Sequence, residues 1–387
     1  MSAVARPDST RRPAPRAVAL WLLACCGMIF AMAVIGAITR LTESGLSIME
    51  WAPVSGALPP LGEAEWRRLF ALYQQTGEYR SLPGGMTLEA FRSIFWWEWL
   101  HRLWGRLIGV VYLLPFLWFL WRRQVPAGFA APLWIGFGLG ALQGAVGWFM
   151  VASGFSDRTD VSQYRLVLHL GLALVIYAYL LWLALSLLRR PRPAPAGAPG
   201  RSLWLFFALL ALTLAAGGFV AGTDAGMTYN EFPTMDGRLV PAGYAPLEPW
   251  WLNWFETIEA VQFNHRLLAT LLLAGALALA WDGWRRAARA PGAAPLAGDL
   301  ALLAAACLLQ YGLGIAALLA AVPVWLGALH QAGALLVLTA AVSALHRRFS
   351  RPLATPPAGA EGAGRLDAGP AGAEAARPER TREPGPP

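Results

Sequence analysis

Eight separate stretches of this chain are each long and apolar enough to cross a bilayer as an α-helix: residues 17–37, 94–120, 132–151, 163–188, 202–221, 257–281, 300–321 and 324–345. Spanning the ~30 Å hydrocarbon layer takes about 20 mostly apolar residues, because each backbone polar group must find its partner within the segment. Of the 387 residues, 57% are hydrophobic and only 14% charged, which excludes an ordinary soluble globule. The expected fold class is an all-α polytopic membrane protein with eight transmembrane helices.

Charge sets the expected orientation. All 31 basic residues are arginine, against 23 acidic residues, for a net charge of +8. Nucleic-acid binding would gather arginines on one soluble surface, but here they punctuate the apolar runs, so nucleic acid is not an expected partner. Arg6, Arg11, Arg12 and Arg16, then Arg122 and Arg123, Arg189, Arg190, Arg192 and Arg201, Arg285, Arg286 and Arg289, and Arg347, Arg348 and Arg351 all fall on one side if both termini are inside. By the positive-inside rule that side is cytoplasmic, and the two large loops after the first and fifth spans face outward. The first apolar run lacks a convincing cleavage site and is read as a retained helix. Cys25, Cys26 and Cys307 lie inside apolar runs and form neither a disulfide framework nor a zinc pattern. From Pro352 onward, proline, alanine, glycine and glutamate predominate, as in a disordered tail.

The outer loops reveal a duplication. Thr42-Glu43-Ser44-Gly45-Leu46-Ser47 reappears as Thr223-Asp224-Ala225-Gly226-Met227-Thr228, and Glu50-Trp51 as Glu231-Phe232, at a constant offset of 181. Gly56, Leu58 and Pro60 meet Gly237, Leu239 and Pro241 at the same offset. Further on, His101-Arg102 matches His265-Arg266, Leu142-Gln143 and Gly147 match Leu309-Gln310 and Gly314, and Leu168-His169 matches Leu329-His330. The chain is thus two parallel four-helix repeats. The expected layout is a cytoplasmic arm at 1–16, an N-terminal repeat at 17–190 with a long outer loop at 40–93, a linker at 191–201, a C-terminal repeat at 202–348, and the tail at 349–387.

Four of the five histidines share one depth. His101, His169, His265 and His330 stand six to eight residues in from the outer ends of the even-numbered spans, roughly 10 Å below the surface at 1.5 Å per residue. A single membrane histidine can be a packing residue; four at one depth in repeat-matched positions are hard to explain that way. Paired imidazoles from facing helices form the axial sites of a low-spin haem, and symmetry pairs His101 with His169 and His265 with His330. Arg102, Arg266 and, less directly, Arg106 are candidates to hold haem propionates at the outer face, against the alternative of snorkelling to the interface. His346, among arginines at the inner end of the last span, reads as a headgroup-level residue.

The halves differ at one informative position. Glu98 stands three residues before His101, and Gln262 three before His265. A carboxylate one turn from an iron ligand can take a proton or stabilise positive charge on a porphyrin edge, although an i,i+4 pair with Arg102 would neutralise it. The N-terminal half is therefore expected to do chemistry on its haem, and the C-terminal half to hold a permanent haem for electron transfer. Residues 63–73 carry apolar Trp66, Leu69, Phe70 and Tyr73 at helical spacing, predicting an amphipathic helix at the outer surface that caps the N-terminal crevice.

These residues carry a specific resemblance. Ile38-Thr39-Arg40-Leu41-Thr42-Glu43-Ser44-Gly45-Leu46-Ser47, Phe95-Trp96-Trp97-Glu98-Trp99-Leu100-His101-Arg102, Ala221-Gly222-Thr223-Asp224-Ala225-Gly226-Met227-Thr228-Tyr229-Asn230 and Gln262-Phe263-Asn264-His265-Arg266 resemble the Cox15/CtaA family of haem A synthases, over roughly residues 17–348. The resemblance implies an inner-membrane oxidoreductase that converts the C8 methyl of haem O into a formyl group by successive hydroxylations, the last step toward haem A for cytochrome oxidase. It also implies that His101 and His169 hold the substrate haem O, that His265 and His330 ligate a permanent low-spin haem B, and that Glu98 is the catalytic carboxylate. Implied partners are a haem O synthase, cytochrome oxidase assembly factors and membrane lipid, with the electron donor or acceptor and self-association left open. Some members carry cysteine pairs in the outer loops; this chain has none there, which places it with the subclass lacking them. Two other readings stay open on the residues alone: a di-haem electron-transfer cytochrome and a parallel-repeat transporter.

Overall fold

The computed structural model describes residues 15–52, 55–155, 159–189 and 199–349. Most of the expected N-terminal arm and linker, and all but the first residue of the expected tail, lie outside the described residues. Among those described, the chain is helical throughout, with no strand. The long helices are α1 (Pro15–Leu41), α4 (Leu88–Trp121), α5 (Ala130–Val151), α6 (Gln163–Leu188), α7 (Gly200–Gly222), α9 (Ile258–Arg289), α10 (Ala294–Leu319) and α11 (Val324–Phe349), and all eight can span a membrane. Shorter helices occupy the two large loops: α2 (Glu63–Tyr73) and α3 (Gly77–Ser81) in the first, α8 (Asn253–Glu256) in the second.

Each repeat closes into a ring of four. In the first, α1 packs on α4, α4 on α5, α5 on α6 and α6 back on α1; in the second, α7, α9, α10 and α11 close in the same way. The rings meet where α1 touches α11, where α6 touches α7, and where α6 meets α11. The first two contacts are repeat equivalents, so the joint has the pseudo-twofold character expected of a parallel duplication.

The apolar core is confined to one part of each ring. Val18, Leu22 and Cys25 at the start of α1, Tyr112 and Phe116 late in α4, Leu180 and Ala184 late in α6, Leu300 and Leu303 early in α10, and Leu335, Leu338, Ala341 and Leu345 late in α11 are all buried. All of these lie beyond the histidines, toward the arginine-rich ends. The main apolar core of the rings is therefore on the side of the histidines nearer the arginine-rich ends.

Several boundaries differ from expectation: α9 runs on to Arg289, α10 starts at Ala294, and α4 starts early. The span expected from residue 94 begins at Leu88, capped by Thr87, whose Oγ1 accepts from the Ala90 amide at 3.2 Å. The extra turns leave the apolar run to carry Phe91 and Phe95, which pack with Trp66, Leu69 and Tyr73 of α2 in a small aromatic core of their own. Hydropathy alone could not place these turns, because they are buried under a loop helix and not in lipid. The amphipathic helix itself falls on residues 63–73 as expected.

Candidate functional site

The four histidines stand on diagonal helices of their rings: His101 on α4 and His169 on α6, His265 on α9 and His330 on α11. Members of each pair are near enough to interact electrostatically. Among the described residues no three His, Cys, Asp or Glu side chains converge to hold a metal. Each pair thus offers two ligands only, the number that an iron already ringed by a porphyrin requires.

Every imidazole is seated against a glycine of the neighbouring helix. A Cβ on Gly147 of α5 would stand 2.9 Å from His169 Cε1, one on Gly314 of α10 2.9 Å from His330 Cε1, and one on Gly217 of α7 3.0 Å from His265 Cε1. On Gly36 of α1 it would stand 3.3 Å from His101 Nε2. Gly36 and Gly217 are repeat equivalents, as are Gly147 and Gly314, so the seat is built twice. Only the absence of a side chain lets the ring lie so close to the helix backbone.

The outer atoms of the rings are also held. His265 Nδ1 lies 3.2 Å from the Thr213 carbonyl, which suits an Nδ1–H donor and leaves Nε2 to ligate. Gln143 Nε2 approaches His169 Nδ1 at 3.1 Å and donates to the His169 carbonyl at 3.0 Å. Gln310 repeats this at His330, at 3.1 Å and 2.9 Å. Gln143 Oε1 and Gln310 Oε1 are buried without a hydrogen-bond partner, so in both places an acceptor remains beside the imidazole. The diagonal histidine pairs and their glycine seats fit two bis-imidazole haems, and at His265 the Thr213 carbonyl also orients the ring for ligation through Nε2.

Glu98 is 2% exposed and accepts four hydrogen bonds. Arg102 donates to Oε1 through Nε at 2.9 Å and Nη2 at 2.5 Å, while the Ser47 hydroxyl and the Ile48 amide donate to Oε2 at 2.7 Å and 2.8 Å. This donor set complements a carboxylate anion. The ion pair with Arg102 exists, and it is part of a larger nest. Gln262, equally buried, accepts from Arg266 Nη2 at 2.8 Å and donates its amide to the Ala225 carbonyl. Where Glu98 meets two donors, Gln262 meets an acceptor, so each outer loop is shaped for its own residue.

The arginines clip these loops. Arg102 donates to the carbonyls of Ile48 and Glu50, and Arg266 to those of Tyr229 and Glu231, the residues 181 further on. Arg266 also reaches Thr234, and Arg106 holds the Ala52 carbonyl at 2.8 Å. The guanidiniums expected at propionates are thus engaged with backbone, fixing the loops over the histidines. Arg266 Nε is buried and unpartnered. Lower down, His346 is fully buried, not at headgroup level, with Nε2 3.0 Å from Ser186 Oγ and its ring edge-on to Trp182.

The outer loop carries its own charges. Arg68 bridges Glu50 and Glu65, and its hydrogen bonds hold both carboxyls below the usual range. Glu78 behaves oppositely: burial, reinforced by Asp160, Glu98 and Glu43 nearby, pushes it up to about 8.

A family model described as cytochrome oxidase assembly protein, COX15-CtaA, matches residues 19–342. The chain belongs to this family. A relative from Rhodospirillum centenum named heme A synthase is 55% identical over 89% of this chain and 91% of its own length. Relatives of the same name from a Bradyrhizobium species and from Nitrosomonas eutropha are 49% and 46% identical, covering 87% and 84% of this chain and 93% and 92% of their own. The family match thus spans both repeats, the stretch of this chain in which all four histidines lie.

Sequence reasoning had singled out the histidines and Glu98 as site residues, but used Gln143, Gln310, Gly147 and Gly314 only as markers of the duplication. Their recurrence beside histidines was the available signal for a role at the site. Gly36, Gly217 and Thr213 gave none, because small residues in apolar helices are common and only packing shows what they face.

Proposed function

We propose that this chain is a haem A synthase that oxidises the C8 methyl of haem O to a formyl group by successive hydroxylations. In this reading His101 and His169 hold haem O as substrate, and His265 and His330 ligate a resident haem B. The resident haem supplies one-electron transfer when bound. The contrast between Glu98 and Gln262 carries the assignment of the halves: at matched positions three residues before the first histidine, only the first repeat offers a carboxylate.

The residues then take distinct parts. Glu98, held by Arg102, Ser47 and Ile48, would offer a fixed negative charge that stabilises positive charge developing on the bound substrate, and would take a proton only as one of these donors withdraws. Arg102 keeps that carboxylate aimed and ties it to the loop above. Gln262 holds the second loop in the same way without offering a base, which suits a site that only passes electrons. The aromatic core formed by α2 on α4 covers the first loop from outside and limits water there.

The arginine distribution supports a plasma-membrane orientation with both termini cytoplasmic and the haem sites toward the opposite face. The same reading makes haem O synthase and cytochrome oxidase assembly factors the expected partners. The deciding experiment is pigment extraction from cells that coexpress this protein with a haem O source. Hydroxylated and formyl haems are expected on chromatography; protohaem and haem O alone would sink the assignment in favour of a di-haem cytochrome.

A further inference from the structure

At the ends of the rings remote from the histidines the two repeats are packed differently. In the first, the Trp21 indole is nearly buried, donates through Nε1 to the Val111 carbonyl at 2.8 Å, and lies against Tyr112, Phe116 and Phe119 with ring centroids 4.9, 6.2 and 5.7 Å away. At the offset of 181 that relates α1 to α7, the residue matching Trp21 is Ser202. At the offset of 164 that carries His101 to His265, Val111 becomes Gly275, and the three aromatics become Ala276, Ala280 and Gly283. The indole and the side chain beneath it are both gone. Between α7 and α9, beside Ser202 and Gly275, there is a slot of about 680 Å³ with Phe206 and Leu279 also along its wall; Phe206 leans over Gly275, its Cδ2 3.4 Å from where a Cβ there would stand.

The mouth of the slot is cationic. Arg201 and Arg286 line it, and Arg348 of α11 lies beside it, with Nη2 3.4 Å from where a Cβ on the lining residue Gly200 would stand. Arg348 Nε is buried with no hydrogen-bond partner. Against these three guanidiniums stands one lining carboxylate, Asp282, which Arg286 engages at 2.6 Å. The same mouth holds the start of α7, where Pro199 gives no side-chain cap and the first turn has no acidic residue. Uncapped amides and the positive end of the helix dipole add to the field.

We infer that this slot is a binding site for an anionic phospholipid, with the phosphodiester on Arg201, Arg348 and the α7 N-terminus and one acyl chain lying along Phe206, Gly275 and Leu279. Charge complementarity selects the head, since a zwitterionic headgroup would leave the excess positive charge unanswered. The apolar wall between the helices selects a chain over a soluble anion. Gly275 is ten residues inward of His265, roughly 15 Å along the helix, so the slot is separate from the histidine sites.

The test uses the full chain with its haem in detergent, titrated with phosphatidylglycerol or with phosphatidylcholine of the same acyl chains, and read by native mass spectrometry. One phosphatidylglycerol is expected to bind roughly tenfold or more tighter than phosphatidylcholine. Ser202→Trp, which restores the indole of the first repeat, and Arg201→Ala should each abolish that preference without changing the haem absorption spectrum. If Ser202→Trp fails to accumulate, Arg201→Ala and Arg348→Ala, both at the mouth, decide the matter. Equal binding of the two lipids by the unaltered chain, or a preference that persists in the variants, overturns the proposal. Full displacement of the lipid by millimolar inorganic phosphate would also overturn it, because the site would then recognise a soluble anion.

Discussion

Gly147 of α5 and His169 of α6 lie so close that a single methyl group on the glycine would stand 2.9 Å from the imidazole Cε1, and Gly314 and His330 repeat the contact at the same distance in the second ring. No Cβ tolerates that separation, so a methyl must turn the imidazole or part the helices, at a cost of roughly 1–3 kcal/mol. Gly144 and Gly312, three and two residues before these glycines on the same helices, have nothing within 4 Å and serve as controls. On the proposed ligation, Gly314→Ala should lower haem occupancy at His265 and His330 and shift the EPR signal of that haem, which is sensitive to the orientation of axial imidazoles. Gly147→Ala should do the same for the substrate haem, while Gly144→Ala and Gly312→Ala leave both unchanged. Equal effects from all four would mean that general helix packing, and not the histidine seat, is being measured.

Glu98→Gln should retain haem in both halves but lower haem A formation by roughly 10² to 10⁴, the usual range for loss of a positioned acid–base group. The variant copies the residue that the second repeat already uses at Gln262. It also turns an amide toward the Ile48 N–H, which now donates to Glu98 at 2.8 Å, so a stability loss of about 1 kcal/mol is expected beside the activity loss. Chromatography of extracted haems, with haem content as the internal control, separates the two effects. Conversion at the unaltered rate would reduce Glu98 to a neutralising partner of Arg102.

Glu78 gives a pH signature in the outer loop. Its folded value is raised to about 8 from an ordinary 4.5, so the native state holds this proton more tightly than the unfolded chain. The associated stability is fully present below about 4.5 and is lost as pH rises through 8. Glu78→Gln removes the dependence. Thermal unfolding at pH 5.5 and at pH 9 should therefore show the variant gaining on the parent by a few degrees at the higher pH, where the buried carboxylate is forced to ionise. A difference that does not change with pH would show that Glu78 is solvated in the native state.

What the sequence made legible follows from what is periodic. Eight apolar runs, the offset of 181 and the shared depth of His101, His169, His265 and His330 are one-dimensional patterns, and each follows from helical rise and bilayer thickness. The nest around Glu98 is different: Ser47 and Ile48 are about 50 residues upstream, and nothing local says that the loop folds back onto α4. The engagement of Arg102 with the Ile48 and Glu50 carbonyls was hidden for the same reason, since a backbone acceptor has no letter in the sequence. The missing indole at Ser202 lay in plain view at the repeat offset, but a slot becomes visible only when the helices around it are placed.

Arg40 closes the outer joint between the repeats. One guanidinium nitrogen lies 2.8 Å from both Asp160 of the first repeat and Asp224 of the second, and Nε donates to the Ala221 carbonyl at 3.2 Å. Ala221 is the repeat equivalent of Arg40 itself, so the second copy cannot return this contact, and the joint is closed elsewhere by Gln163 and Tyr164, which both donate to Glu256. Arg40 is 15% exposed while its acidic partners are about half exposed, which tempers the Coulombic gain and makes it salt-dependent. Arg40→Ala should lower the melting temperature by a few degrees at low ionic strength and by less in 1 M salt, with the haem spectrum unchanged. Arg40→Lys should recover only part of the loss, because a single ammonium cannot reproduce the planar fork that serves two carboxylates and a carbonyl together. Full recovery with lysine would mean that net charge at this point, and not the geometry of the bridge, joins the two halves.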